Sequence, residues 1–329
     1  MTEAGPNAGK SGARTPAFTI VVPAHNRATL VGRAIRSCLE QSLTDWELLV
    51  VDDGSTDGTG ETVMATADPR VRLIRHRQNR GVSAARRTGA CAAAADWIVL
   101  LDSDDELLPG ALETMAGRLA ESPEDVGRLG FMYRLPGGHV SPDPPFRGEV
   151  WDYPAYLRFA SSSRRPDFLC CTRRSTFSTV PFQDDRSLEL LYQFDFARHF
   201  RTATHPDVLG VVHDDAENRT ARADIRSVLL RASDSARSYD SLLDRHGSAI
   251  AAHSPRWLLQ LIRSTAVQHF LAGNRPAGSR LMAKLVRGAP FSPGTYALWI
   301  LGLMGRRATA LVMHFHALVA EFLGRHRPS

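Results

Sequence analysis

The chain has 329 residues, 43% hydrophobic and 23% charged, enough to bury a substantial core in one large domain or one domain with an appendage. Its four cysteines, Cys38, Cys91, Cys170 and Cys171, form no CxxC pair and no His/Cys cluster at zinc-ligand spacing, which excludes a zinc motif and suits a reducing cytosol. The net charge of +5 is unevenly spread: from Ala251 onward ten Lys or Arg face a single acid, Glu321, leaving the first 250 residues at net −4.

Residues 1–16 are rich in Gly, Ala and Pro and lack an apolar core, so they read as a disordered tail rather than a signal peptide or anchor. Phe18 to Pro23 is a short apolar, β-branched run. Trp46 to Val51, Val71 to Arg75 and Trp97 to Leu101 repeat the pattern, as strands buried on both faces do. Helical spacing fills the intervals at Ala28 to Leu39, Gly58 to Ala67, Ala84 to Ala95 and Pro109 to Ala120. This alternation predicts an α/β fold with a Rossmann-like, doubly wound, mostly parallel sheet. Pro and Gly break the pattern from Gly137 to Arg147. Beyond it, Asp184 to Phe200, Arg226 to Leu243 and Arg256 to Gly273 read as helices. Two apolar pieces follow, Tyr296 to Met304 and Ala308 to Leu323, each too short for the roughly 20 residues of a membrane span. The expected organisation is a tail over 1–16, an α/β domain over 17–222 and a helical region over 223–329.

Ligands of such sheets bind beyond the carboxyl ends of the strands. The polar residues in that position are His25 and Asn26 after the first strand, Asp52-Asp53-Gly54-Ser55 after the second and Asp102-Ser103-Asp104-Asp105 after the fourth. Carboxylates gathered at one edge must pair with cations or ligate a metal. Oxygen ligands of this kind suit Mg2+ or Mn2+, which share their coordination with substrate phosphates. Each group alone is an ordinary acidic turn; both on one parallel sheet point to a donor diphosphate.

The blocks FTIVVPAHNRATLVGRAIRSCLEQSLTDWELLVVDDGSTDGT (Phe18 to Thr59) and RQNRGVSAARRTGACAAAADWIVLLDSDDELLPGAL (Arg77 to Leu112) resemble glycosyltransferase family 2, inverting enzymes with a glycosyltransferase A fold. The resemblance implies a UDP- or TDP-sugar donor. It places Pro23, Ala24, His25 and Asn26 at the nucleotide, and gives Asp53 the uracil-type imide and Arg86 a position close to the donor. Arg87 stands where an asparagine is frequent. Asp102, Ser103 and Asp104 match the family's DxD, with Asp104 the direct metal ligand and Asp102 nearer ribose or metal-bound water. His213 resembles a late histidine close to metal and diphosphate, and is equally readable as a structural histidine.

The family's general base is usually an Asp in a Glu-Asp pair on a helix across the site. No such pair occurs in Pro181 to Phe200. Either Glu189 holds the first acid position, or Tyr192-Gln193 replace both acids and Asp195 follows; the first registration is preferred. Within an apolar helix a buried Glu189 is expected to have a raised pKa, as a base near neutrality needs. The alternative is a salt bridge to Arg186 or Arg198.

The resemblance implies sugar transfer to a saccharide or lipid-linked acceptor in polysaccharide or glycolipid biosynthesis. A donor-binding protein that lost its base is the alternative. A phospho-acceptor receiver domain would be shorter and would not need the second acidic segment, and no GxGxxG follows the first strand as a NAD-type oxidoreductase requires. The basic C-terminal end reads either as helices packed on the catalytic domain or as a peripheral contact with the inner membrane's cytoplasmic face. No nucleic-acid recognition motif accompanies its charge.

Overall fold

The computed structural model describes residues 15–182, 189–215, 225–288 and 293–311. The N-terminal half alternates strand and helix: β1 (Phe18–Ala24), α1 (Val31–Leu39), β2 (Trp46–Asp52), α2 (Thr59–Met64), β3 (Val71–Arg75), α3 (Val82–Ala92) and β4 (Trp97–Leu100). A short β5 (Glu106–Leu107) and α4 (Ala111–Glu121) follow. Then come β6 (Val126–Arg134), β7 (Val140–Ser141), β8 (Val150–Trp151), α5 (Tyr153–Ser162), β9 (Leu169–Arg173), α6 (Thr176–Thr179), α7 (Glu189–His199) and β10 (Arg201–Val211). Four helices close the described chain: α8 (Ile225–His253), α9 (Pro255–Leu271), α10 (Arg275–Gly288) and α11 (Pro293–Met304).

The sheet runs β3-β2-β1-β4-β9-β6-β10-β5, with β7 on β6 and β8 on β10. The first four strands are mutually parallel, with β1 in register from Phe18 opposite Trp46 to Ala24 opposite Asp52. Beyond them β9 is antiparallel to both β4 and β6, and β10 returns parallel to β6. Every residue of β1 is buried, which explains its uninterrupted apolar run: helices cover both faces. On α1, Val31, Ala34, Ile35 and Cys38 fall at the i, i+3, i+4, i+7 spacing and pack into the main core with Ile20, Leu48 and Leu112. On the other face α3 lies close to β1, because Gly89 leaves room for Val21.

The α/β sheet and the helical C-terminal appendage are thus as expected. The helix starting near Arg226 continues to His253, and α10 joins α9 and α11 around Phe270 and Met282. Two central strands, β6 and β9, lie where apolar periodicity is weak. β6 (VGRLGFMYR) carries a buried arginine, Arg128, whose guanidinium donates to Gln193 and stacks 3.6 Å over the Phe196 ring. The expected tail falls almost wholly outside the described residues, as do the proposed boundary at 222/223, the start of the helix expected from Asp184, and most of Ala308 to Leu323.

Candidate active site at the carboxyl ends of the parallel strands

The loops after β1 and β2 are bound into one surface. Asn26 takes a left-handed backbone (φ 52°); its N–H donates to Ser55 Oγ at 2.9 Å, and its Oδ1 accepts from Thr56 N at 3.0 Å. The Ala28 N–H donates to Asp57 Oδ2 at 3.1 Å. Asp52, buried at the end of β2, accepts from Ser55 N at 2.9 Å. Gly54 is required here: at φ 72° a Cβ would stand 2.6 Å from the Gln78 carbonyl carbon, so only glycine lets the loop over 76–81 close on this turn.

That second loop is held by Asp53. Its Oδ1 lies 2.6 Å from His76 Nδ1 and accepts from Arg80 N at 3.0 Å, while Oδ2 accepts from Gly81 N at 2.7 Å. His76 in turn reaches Thr88 Oγ1 on α3 at 2.9 Å. The carboxylate is buried and accepts from these protein donors, and Asp53 N donates to the Ala24 carbonyl at 2.8 Å, tying the loop to the end of β1 beside His25 and Asn26. His25 contributes a buried Nδ1 with no protein partner among the described residues.

A second centre forms after β4. Asp102, Asp104 and Glu106 alternate toward the partly exposed side, whereas Ser103, Asp105 and Leu107 turn inward. From buried α3, Arg86 reaches across: its Nη2 donates to Asp102 Oδ1 at 2.8 Å and its Nη1 to Glu189 Oε2 at 2.7 Å. One guanidinium on α3 therefore joins two of the acids singled out from sequence, Asp102 after β4 and Glu189 on α7. Burial works against charge on Arg86, but the two carboxylates outweigh it and hold the side chain charged, above the usual arginine range.

For Glu189 this overturns the expected raised pKa. Its partial burial works upward, yet the attraction and hydrogen bonding of Arg86, with the bond from Gln193, place it below the ordinary glutamate value. The partner is Arg86 on α3; Arg186 lies outside the described residues, and Arg198 contacts the Arg245 carbonyl instead. Asp195, six residues further along α7, does not join this group. It points toward α8, 2.6 Å from Arg245 Nη1 and 2.9 Å from His246 Nε2, and His246 Nδ1 lies 2.7 Å from the Tyr153 hydroxyl. Burial works to raise its carboxyl, but His246 and Arg245 hold it below the ordinary aspartate value, as in a structural tie between helices.

Arg33 on α1 organises the far side. It donates to the Asp104 carbonyl at 2.6 Å, lies 3.3 Å from Glu106 Oε1, and makes a two-pronged contact with Asp215 at 2.7 and 3.0 Å. His213, just beyond β10, sets Nε2 2.9 Å from Glu106 Oε1. Carboxylates with an imidazole suit Mn2+ or Mg2+, and Asp102, Asp104 and His213 lie at the same strand edge. Among the described residues, however, no three such side chains converge as a metal cage: Asp102 is turned to Arg86 and His213 to Glu106.

One acid was missed. β9 pairs antiparallel with β4, Leu100 opposite Cys170, and Asp167 stands two residues before β9 begins. Its carboxyl is raised by partial desolvation and by the negative charges of Glu189 and Asp102. Asp167 precedes a strand in the second half, and no helical or strand-end pattern marks it in the sequence.

Residues 19–149 match the family described as Glycosyl transferase family 2. A 105-residue stretch is 47% identical to the succinoglycan biosynthesis protein ExoO of Rhizobium meliloti (strain 1021), covering 32% of this chain and 30% of that protein. Over 115 residues the chain is 32% identical to the UDP-Glc:alpha-D-GlcNAc-diphosphoundecaprenol beta-1,3-glucosyltransferase WfgD of Escherichia coli, covering 35% of this chain and 44% of that protein. The matches thus span less than half the length of these relatives. Among solved structures, S. aureus TarS 1-349 in complex with UDP-GlcNAc superposes over 93% of this chain and 92% of its own, with a TM-score of 0.55 and 16% identity. The mannosyltransferase PcManGT from Pyrobaculum calidifontis, in complex with GDP-Man and Mn2+, does so over 92% and 88%, with a TM-score of 0.50 and 20% identity. At such identities the likeness establishes the fold.

Proposed function

Residues 19–149 are a domain of glycosyl transferase family 2, and on that premise we propose that the chain moves a sugar, with inversion, from a nucleotide-diphosphate donor to an acceptor hydroxyl in polysaccharide or glycolipid assembly. The observation that carries this reading is the Arg86 guanidinium bound to both Asp102 and Glu189 at the carboxyl ends of parallel strands. A fixed cation beside acids is the arrangement that can neutralise a departing diphosphate and position a base.

In this reading the surface built from Pro23 to Asn26 and the Asp53-anchored loop receives the nucleotide. A UDP- or TDP-type donor fits the proposal, and the relatives' names and the ligands bound in the structural neighbours support a nucleotide sugar. Asp102, Asp104 and His213 would hold Mn2+ or Mg2+ only by turning from Arg86 and Glu106, and the metal would then supply charge neutralisation on the leaving phosphate. Arg86 supplies a second positive charge that needs no metal to be present. Glu189 or Asp167 takes the proton from the acceptor hydroxyl; the charge of Glu189 is felt at Asp167, and Asp167 is the one not committed to Arg86 by a direct bond. The acceptor is a saccharide or a lipid-linked saccharide.

A second reading, donor binding without turnover, draws on one observation: Glu189 is paired with Arg86 and lies below the ordinary glutamate value, the reverse of a free base. The full chain, with Mn2+ and each of the UDP-, TDP- and GDP-sugars, decides between the readings. A donor-specific rise in Tm together with nucleotide release that requires acceptor supports transfer. A rise in Tm without release under any acceptor supports the binding protein, and no rise with any donor removes both. For the base, Glu189→Gln and Asp167→Asn are compared: the variant that loses turnover while keeping the donor-induced Tm shift identifies the group.

A further inference from the structure

Among the described residues α11 packs one apolar face on α9 and α10 and leaves a second apolar face exposed. On α11, Trp299 donates through Nε1 to Ser279 on α10, and Gly302 meets the Phe270 ring of α9; that face is packed. Tyr296, Ile300, Leu303 and Met304 fall at the i, i+4, i+7, i+8 spacing on another face and are exposed, Ile300 at 62% and Met304 at 70%. Exposed Leu230 on α8 and Leu311 extend the apolar surface. They line a groove of about 470 Å³ together with Ile225, Leu229 and three arginines, Arg226, Arg306 and Arg307. Arg306 touches the Leu229 carbonyl at 3.4 Å, and both it and Arg307 are exposed.

We propose that this face rests on an anionic lipid bilayer, the α11 stripe entering the headgroup boundary while Arg226, Arg306 and Arg307 meet lipid phosphates. Two features select this occupant. α11 carries no charged residue, and between 251 and 311 the sequence has eight Lys or Arg and no acid, so the apolar stripe is set in a field of one sign. A second copy docking face to face would bring the same arginines together, an arrangement that like-charge repulsion opposes. No helix among the described residues is long and apolar enough to cross a membrane, so the contact is one of lying on the surface. The inference is independent of the sugar-transfer reading, since it uses none of the strand-end residues.

The full chain is sedimented with vesicles of phosphatidylcholine alone and with phosphatidylglycerol added. Binding to the anionic vesicles only, lost in high salt, is expected. Arg306→Gln and Arg307→Gln should each weaken partitioning about fivefold, the equivalent of about 1 kcal/mol per basic residue. Ile300→Gln with Leu303→Gln should abolish it while leaving the circular dichroism spectrum and Tm unchanged, because both side chains are solvated. Failure to sediment with anionic vesicles overturns the proposal. So does wild-type binding by the stripe variant, or light scattering that shows a dimer dissociated by that variant, which would make the face a contact between copies.

Discussion

Arg86→Met tests the central cluster most directly. Methionine keeps the length and much of the volume of the buried stem, so the change removes the guanidinium rather than opening a cavity. Two charge-assisted bonds disappear, at 2.8 Å to Asp102 and 2.7 Å to Glu189. A dry bond to a charged group contributes about 1.5–3 kcal/mol. Here both carboxylates stand half in water, 49% and 48% exposed, and solvent screening brings each contact to about 1 kcal/mol. The variant should therefore be less stable by about 2 kcal/mol at neutral pH, a fall in Tm of about 3 °C for a chain of this size.

The loss also has a predicted pH dependence. The folded Glu189 carboxyl lies below its ordinary value of 4.5, so its contribution is complete above that value and disappears as pH falls through the lower, folded one. The variant lacks this contribution at every pH. Urea unfolding of the two proteins should thus show a constant gap from pH 8 to about pH 5 that narrows below about pH 4.5. A gap under about 0.5 kcal/mol at pH 7, or one that does not shrink in acid, would refute the ion-pair reasoning.

Two further perturbations separate positioning from chemistry. Gly54→Ala places a Cβ against the Gln78 backbone at a positive φ, so it should cost about 1–3 kcal/mol in thermal unfolding and weaken donor binding through the shifted 76–81 loop; unchanged donor affinity would mean that this loop is not part of the donor surface. Asp195→Asn breaks the contacts with Arg245 and buried His246 and should cost about 1–2 kcal/mol, with turnover per folded molecule unaltered; a selective loss of turnover would return Asp195 to the list of bases.

The N-terminal sheet was legible because its strands are buried on both faces, and residues such as Ile20, Val22, Leu48 and Val50 write that environment directly into the sequence. The turn at Asp52 to Ser55 and the acidic run from Asp102 were legible for the same reason: each begins where a buried strand stops. β6 was not, since Gly127 and Gly130 leave room for Phe200 and Phe168, and Arg128 is tolerated inside only because Gln193, Thr172 and an aromatic ring receive it. None of those compensations lies within 40 residues of Arg128 in the chain, so no local window contains them.

The same argument explains why the sequence marks where acids follow a strand but not the proton affinity of Glu189. Position along a strand is a local property, whereas the proton affinity of Glu189 depends on a guanidinium 103 residues earlier, and Asp167 precedes a strand that runs antiparallel beside β4. Arg86 cannot serve a diphosphate at full strength while donating to both carboxylates. A bound anion that draws the guanidinium away must let the proton affinity of Glu189 rise, because desolvation is then opposed only by the Gln193 bond and the charge of Arg128. Donor charge and base strength are coupled through that one side chain, and assigning either residue a role without the other misstates the chemistry.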